Sequence, residues 1–198
     1  MICNILDLES PVYRAFDELQ YAEDFLQGKF RLGSLCRYRG IEDKNRRDGT
    51  EGYGSYIDSN EINHHIENGN VPYILSLANA DVNLELLAKK MGPFVVQINE
   101  PMALASEIEQ HLEDNGTRTF NGVHGRLVEY SKGGAIDRPL DQAERFTLSI
   151  IQKLPCFSEE SEYRLFTIFN QAPRTVVADY YYVNLGDSLD YVEIIDQF

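Results

Sequence analysis

The chain contains no tryptophan, and its only cysteines are Cys3, Cys36 and Cys156. Because these cysteines are far apart and odd in number, they form neither a CxxC pair nor a disulfide framework. This usage favours structural thiols in a reducing compartment. The four histidines are scattered and have no cysteine or aspartate at ligand spacing, which predicts that the chain holds no metal.

Long apolar runs are also missing. No stretch approaches the roughly 20 apolar residues of a membrane-spanning helix, and the first residues lack the basic start and apolar segment of a signal peptide. We therefore predict a cytoplasmic protein without a membrane partner. Hydrophobic residues still make up 43% of the chain, enough for a core. No repeat or low-complexity linker interrupts it, which indicates a single domain over residues 1–198.

Basic residues are scarce, with 18 lysines and arginines against 32 acidic residues and a net charge of −14. That balance disfavours a broad, non-specific hold on nucleic acid. Seven of the basic residues nevertheless lie in segment 29–47, which contains only two acidic residues. Such a local basic patch is expected to bind a compact anion, such as a pyrophosphate, rather than a long polyanion. A solvated helix face paired with acidic neighbours is the alternative.

Hydrophobic periodicity predicts strands and helices without regular alternation. Strands are expected at 12–16, 29–32, 72–78, 94–98, 122–130, 163–169 and 175–183, and helices at 19–26, 38–47, 83–90, 101–115 and 139–150. A glycine-rich loop is expected at 48–55 and a hairpin turn at Asn68-Gly69. This order favours an α+β domain with largely antiparallel sheets.

The stretch 153–166, Lys-Leu-Pro-Cys-Phe-Ser-Glu-Glu-Ser-Glu-Tyr-Arg-Leu-Phe, places glutamates at the start of an apolar strand. Because side chains alternate along a strand, Glu160, Glu162 and Arg164 are expected to share one face, with Tyr163 and Leu165 turned toward a core. Repulsion between the two carboxylates can raise one pKa. Such a pair can hold a substrate hydroxyl and handle an acceptor proton. An exposed strand whose charges are balanced by its neighbours is the alternative.

Six short segments together resemble a group of bacterial and phage-encoded domains with an ADP-ribosyltransferase-like fold. They are 12–14 (Val-Tyr-Arg), 25–34 (Phe-Leu-Gln-Gly-Lys-Phe-Arg-Leu-Gly-Ser), 38–39 (Tyr-Arg), 48–51 (Asp-Gly-Thr-Glu), 74–77 (Ile-Leu-Ser-Leu) and 157–164 (Phe-Ser-Glu-Glu-Ser-Glu-Tyr-Arg). The last segment is the most specific. The resemblance covers roughly residues 12–169. It implies two small, mostly antiparallel sheets around a cleft that holds NAD, with flanking helices.

The resemblance also implies roles for individual residues. In enzymes of the Arg-Ser-Glu type, an arginine on the first strand contacts the NAD phosphates and a serine on a central strand supports the nicotinamide ribose. These positions correspond to Arg14 and Ser76. The Glu-x-Glu pair corresponds to Glu160 and Glu162, the implied catalytic residues. Loss of nicotinamide leaves an oxocarbenium-like ribose, which a carboxylate at Glu162 can stabilise while Glu160 orients the acceptor or takes its proton.

Further cofactor-binding residues are expected around these positions. Arg31 and Arg39 compete with Arg14 for the NAD phosphates, since an arginine fork can bond two phosphate oxygens at once. Because tryptophan is absent, a tyrosine or phenylalanine has to stack on the nicotinamide. The candidates are Tyr13, Tyr38 and Tyr53.

Three functional hypotheses follow. The first is an NAD-dependent mono-ADP-ribosyltransferase or NAD glycohydrolase that modifies a protein or nucleic-acid acceptor. The family analogy is a phage or antiphage toxin, with an antitoxin or a second copy of the chain as a further partner. The second is a catalytically inactive acidic protein that binds a basic partner or mimics nucleic acid. The third is a nucleic-acid modifier whose segment 29–47 guides a phosphate chain. Convergence of Glu160, Glu162, Ser76 and one early arginine in a single pocket is the observation that favours the enzyme.

Overall fold

A computed structural model describes residues 11–39, 51–67, 71–115, 120–135, 139–169 and 179–195, with all side chains in these ranges except those of Cys36, Arg39 and Val71. The strands are β1 (Val12–Phe16), β2 (Lys29–Ser34), β3 (Tyr53–Ile57), β4 (Asn63–Glu67), β5 (Val71–Ala78), β6 (Phe94–Ile98), β7 (Phe120–Leu127), β8 (Glu162–Phe169), β9 (Tyr180–Asn184) and β10 (Val192–Ile195). The helices are α1 (Leu19–Leu26), α2 (Leu35–Arg39), α3 (Leu84–Met91), α4 (Pro101–Asp114) and α5 (Gln142–Ile151), and a 3-10 helix spans Pro155–Glu160. The predicted α+β class is confirmed.

Eight of these strands form one sheet whose described pairs are all antiparallel. β10, β6 and β1 form one arm of the sheet, β9 and β2 form a second arm, and both arms join the same edge of β5. The other edge of β5 pairs along its whole length with β8, which pairs in turn with β7. β3 and β4 form a separate two-stranded sheet. The prediction of two small sheets is therefore wrong in detail, because β5 joins both arms into one sheet.

The two arms diverge along β5 and leave a cleft between them. β1 meets β5 at one end, where Tyr13 lies opposite Ala78. β2 meets β5 at the other end, where Gly33 lies opposite Ile74. Residues 75–77 lie between these two contacts. On this edge, the middle of β5 therefore borders the cleft instead of a neighbouring strand.

The two faces of β5 and β8 have different surroundings. Leu75, Leu77, Tyr163 and Leu165 point into the main core, which also takes in buried side chains of α1 and α4. The opposite face is apolar at its two ends, where one cluster packs against α5 and another against α3. Polar side chains occupy the middle of that face. The alternation of these strands therefore places a core on one side and a polar stripe on the other.

Several elements differ from the sequence predictions. Residues 53–55 were expected in a glycine-rich loop, but they begin β3, where Gly54 passes so close to α5 that a Cβ atom would lie 3.0 Å from the Ser149 nitrogen. The helix expected at 38–47 begins at Leu35 instead, and residues 40–47 lie outside the described part of the chain, as do Asn68 and Gly69. β4 and β10 were not predicted, because β4 is largely polar and β10 has only four residues.

None of the described helices has the length and apolar character needed to cross a membrane.

Gly92 ends α3 with a φ of 128°, and a Cβ atom there would lie 2.2 Å from the carbonyl oxygen of Phe16 in β1. We expect Gly92→Ala to lower the free energy of unfolding by about 3 kcal/mol, because a strained backbone angle and overpacking each cost about 1–3 kcal/mol. Urea denaturation measures this change. Gly186→Ala is the matched control, since Gly186 also has a positive φ but nothing lies within 4 Å of its Cβ position. Equal losses in the two variants would contradict the steric explanation.

Candidate active site

A cavity of about 710 Å³ lies in the cleft between the two arms of the sheet, a volume within the usual range of ligand pockets. Among the predicted site residues, it brings together Glu160, Glu162, Arg14, Ser76, Tyr13, Arg31 and Tyr38. The side chain of Arg39 lies outside the described residues. Tyr53, the other tyrosine proposed for stacking, lies in β3 and is not among the lining residues.

Arg14 and Ser76 meet at the floor of the cavity. Arg14 Nη1 donates a hydrogen bond of 2.7 Å to the backbone carbonyl oxygen of Ser76. The guanidinium also lies over the ring of Phe16, with 5.3 Å between Cζ and the ring centroid. The contact crosses the gap where β1 departs from β5, so the divergence of the arms determines where this arginine lies.

Glu162 and Arg164 lie two residues apart on β8, and their exposed fractions are 4% and 1%. Arg164 donates from Nε to Glu162 Oε1 at 2.8 Å and from Nη2 to Oε2 at 3.1 Å. Its Nη1 and Nη2 also bond the two oxygens of Glu51 at 2.5 and 3.1 Å, and Nη1 donates to the carbonyl of Ile150. Paired charge-assisted hydrogen bonds of this kind restrict the orientation of both carboxylates. The alternative of an exposed strand is therefore wrong, although Arg164 does balance the charge.

Lys153 connects the two predicted catalytic glutamates. Its Nζ lies 2.7 Å from Glu160 Oε2 and 2.7 Å from Glu162 Oε2. Lys153 follows α5, and its backbone nitrogen donates to the carbonyl of Glu129 at 3.0 Å, which holds this part of the chain beside β8. The ammonium group therefore keeps together two carboxylates that would otherwise repel each other.

Glu160 reaches the site by a different route from the predicted one. It does not lie on a strand but is the last residue of the 3-10 helix. Ser161 follows with a φ of 43°, a left-handed turn that leads directly into β8. Strand alternation therefore explains the shared face of Glu162 and Arg164, but the turn at Ser161 places Glu160 beside them.

The two glutamates have opposite pKa shifts. Burial raises the pKa of Glu160, and attraction to Lys153 offsets this effect only in part. Burial alone would also raise the pKa of Glu162, but the charges of Arg164 and Lys153 and their hydrogen bonds hold this pKa well below its usual range. The prediction that one pKa is raised is confirmed for Glu160, with burial rather than carboxylate repulsion as the main cause. Glu162 therefore remains ionised at neutral pH, and Glu160 is the group more readily protonated.

The charge cluster is negative overall. It contains the carboxylates of Glu51, Glu160 and Glu162 against the cations of Lys153 and Arg164. Three N–H donors of these cations occupy three of the roughly four acceptor directions of the Glu162 carboxylate, and the remaining direction is on Oε1. The ionised carboxylate of Glu162, which lines the cavity, can stabilise a positive charge that develops in a bound substrate.

Sequence reasoning assigned no role to three residues of this site. Glu51 lies 113 positions before Arg164, and its only sequence signal was its place in the matching segment 48–51. Lys153 opens the stretch 153–166 and was quoted only as its first residue. Tyr130 accepts a 2.7 Å hydrogen bond from the Glu162 backbone nitrogen at its hydroxyl oxygen, and burial raises the pKa of Tyr130 to about 12. None of these contacts could be predicted from a sequence motif, because the spacing of the contacting residues matches none.

No protein-family model, curated protein or solved structure matches this chain. The ADP-ribosyltransferase-like fold, the toxin setting, the antitoxin and the homodimer therefore stay predictions. Within the described ranges, no group of three or more His, Cys, Asp or Glu side chains is arranged to hold a metal ion.

Proposed function

We propose that the chain cleaves NAD and transfers the ADP-ribosyl group to an acceptor, or to water where no acceptor is bound. The observation that supports this proposal is the convergence of Arg14, Ser76, Glu160 and Glu162 in one cavity. These residues come from β1, β5, the 3-10 helix and β8, so their meeting is not a consequence of sequence proximity. Charged residues on a solvated surface are not expected to converge in one cavity.

The proposed reaction breaks the bond between the nicotinamide nitrogen and ribose C1′. The bonding electron pair leaves with nicotinamide, whose positively charged ring becomes neutral, and the ribose is left as an oxocarbenium-like cation. A lone pair of the acceptor then forms a new bond to C1′, and the acceptor loses a proton. The products are nicotinamide, an ADP-ribosylated acceptor and a proton.

The surroundings of the two glutamates match these two steps. Glu162 is held ionised and oriented by Arg164 and Lys153, as required of a group that stabilises the ribose cation. Glu160 has a raised pKa, as required of a group that takes the acceptor proton. Arg14 lies beside Ser76 at the floor of the cavity, where its planar guanidinium suits a pyrophosphate. Tyr13 and Tyr38 line the same cavity and are the candidates for stacking on nicotinamide.

Incubation of the purified protein with NAD, with and without cell lysate, tests the proposal. Free nicotinamide is followed by chromatography, and NAD binding is measured by calorimetry. We expect release that depends on the protein and increases with lysate if a macromolecular acceptor is present. Absence of both release and binding would overturn the proposal and favour the acidic binding protein instead.

Transfer to an acceptor is expected to lose activity as the pH falls through the raised pKa of Glu160, because the protonated carboxyl group can no longer take a proton. The acid limb should therefore lie at higher pH than an ordinary glutamate would give. Rates at a series of pH values, at saturating NAD, measure this limb. Glu160→Gln should be slower and should lose the limb. An unchanged limb in that variant would assign the titration to another group.

A further inference from the structure

One wall of the cavity is a platform on β2 and β9. Strand alternation turns Leu32 and Tyr181 into the main core, where they are 2% and 8% exposed. The neighbouring residues point to the cavity side, with Arg31 opposite Tyr182 across the two strands. Tyr182 is 64% exposed, the highest fraction among the exposed large hydrophobic side chains of the described residues.

Cationic and aromatic side chains alternate on this surface. The guanidinium carbons of Arg31 and Arg37 lie 4.2 and 4.4 Å from the centroid of the Tyr180 ring. The rings of Tyr180 and Tyr182 are 6.3 Å apart, centroid to centroid. Lys29 continues the row on β2. We call Lys29, Arg31, Arg37, Tyr180 and Tyr182 the tyrosine–arginine platform.

The platform differs in charge from the rest of the molecule. The chain has a net charge of −14, yet none of the ion pairs within the described ranges neutralises Lys29, Arg31 or Arg37. Lys29 instead donates to the side-chain oxygen of Gln27 at 3.0 Å. Three neighbouring cations that have no acidic partner among the described residues attract phosphate groups, whereas a basic partner would be repelled.

The exposed ring of Tyr182 adds a second requirement, because the face of an aromatic ring binds flat groups. Stacking of successive bases on aromatic side chains, next to cations that follow the backbone, is how single-stranded nucleic acid is bound without sequence preference. Paired bases in a duplex do not offer their faces in this way. We propose that the tyrosine–arginine platform binds single-stranded nucleic acid and presents it to the cavity. That this strand is the ADP-ribose acceptor rests on the proposed function.

Fluorescence anisotropy with a labelled thymidine 12-mer tests the platform. With three cations, the logarithm of the binding constant should fall with the logarithm of salt concentration at a slope of about −2, and Arg31→Ala should reduce this slope by about 0.7. Tyr182→Ala should weaken binding at least about 5-fold, the lower end of the loss of one stacked base. Tyr53→Ala and Lys89→Ala are matched controls on exposed residues that do not line the cavity, and both should bind as the parent protein does.

Several results would overturn the inference. If a preparation that still releases nicotinamide does not bind the 12-mer at 25 mM salt, the platform does not bind nucleic acid. The proposed function would be unaffected by that result. Binding that survives both Tyr182→Ala and Arg31→Ala would place the oligonucleotide elsewhere. Displacement of the oligonucleotide by saturating NAD would assign the platform to NAD itself.

The acceptor assignment has its own readout. Transfer of label from NAD to the 12-mer would support the assignment, provided that Tyr182→Ala transfers less label than the parent protein does. Label found on lysate proteins but not on the 12-mer would overturn it. Oligonucleotide binding without nicotinamide release would refute the proposed function and the acceptor assignment, while supporting the platform as a binding surface.

Discussion

Glu162→Gln is expected to reduce nicotinamide release by about 100- to 1000-fold, the usual loss when one electrostatic stabiliser of a transition state is removed. Glutamine has nearly the same shape but no charge, so the ribose cation would lose the carboxylate that Arg164 and Lys153 hold in place. Initial rates at saturating NAD, corrected for the folded fraction by circular dichroism, measure the effect. This correction matters because the substitution also removes a charge from a buried cluster.

Glu159→Gln is the matched control for this experiment. Glu159 precedes Glu160 in the same 3-10 helix, but its side chain is 63% exposed and pairs with Lys90 on the surface. Its substitution should leave nicotinamide release unchanged. Equal rates for folded Glu162→Gln and for Glu159→Gln would show that Glu162 has no part in the chemistry.

Arg164→Leu is expected to lower the free energy of unfolding by about 3–5 kcal/mol, the usual cost of removing one partner from a buried ion pair. The reason is that Arg164 bonds both Glu51 and Glu162, which are 1% and 4% exposed. Without the arginine, Glu51 loses both guanidinium bonds while it stays buried. Urea denaturation at neutral pH measures the loss.

Two comparison variants make this stability prediction specific. Lys90→Met breaks an ion pair whose side chains are 39% and 63% exposed, and it should leave stability without a measurable change. The double variant Glu51→Gln with Arg164→Leu should recover part of the loss, because it leaves one fewer buried charge without a partner. A loss in Arg164→Leu no larger than that in Lys90→Met would contradict the account of the buried cluster.

The elements that sequence reasoning located best are those with a local signal at each end. β1 and β6 have the predicted bounds, 12–16 and 94–98, because each is a mostly apolar segment bounded by turn-forming residues. α4 begins at the predicted Pro101, which is favourable at the first position of a helix. The alternation along β8 likewise placed Tyr163 and Leu165 in the core and Glu162 with Arg164 on the other face.

The residues of the candidate site were largely predicted, but the contacts that assemble the site were not. Glu160 was assigned to a strand because the residue in the left-handed turn is Ser161. A glycine or asparagine at that position would have indicated the turn. Glu51 gave no signal of its contact with Arg164, since a buried ion pair across 113 positions leaves no periodic pattern. Tyr180 and Tyr182 were interpreted only as strand residues, and the exposure of Tyr182 became visible once β9 was paired with β2.

The sequence by itself determined which residue types are present and how they alternate along each strand, because both are properties of neighbouring positions. It therefore determined the α+β class, the acidic net charge and the polar face of β8. Only the tertiary structure decided that Arg14, Ser76, Glu160 and Glu162 share a cavity, because the two arms of the sheet diverge from β5 and open the cleft. It also decided which glutamate stays ionised, since a pKa depends on burial and on charges brought near by distant segments.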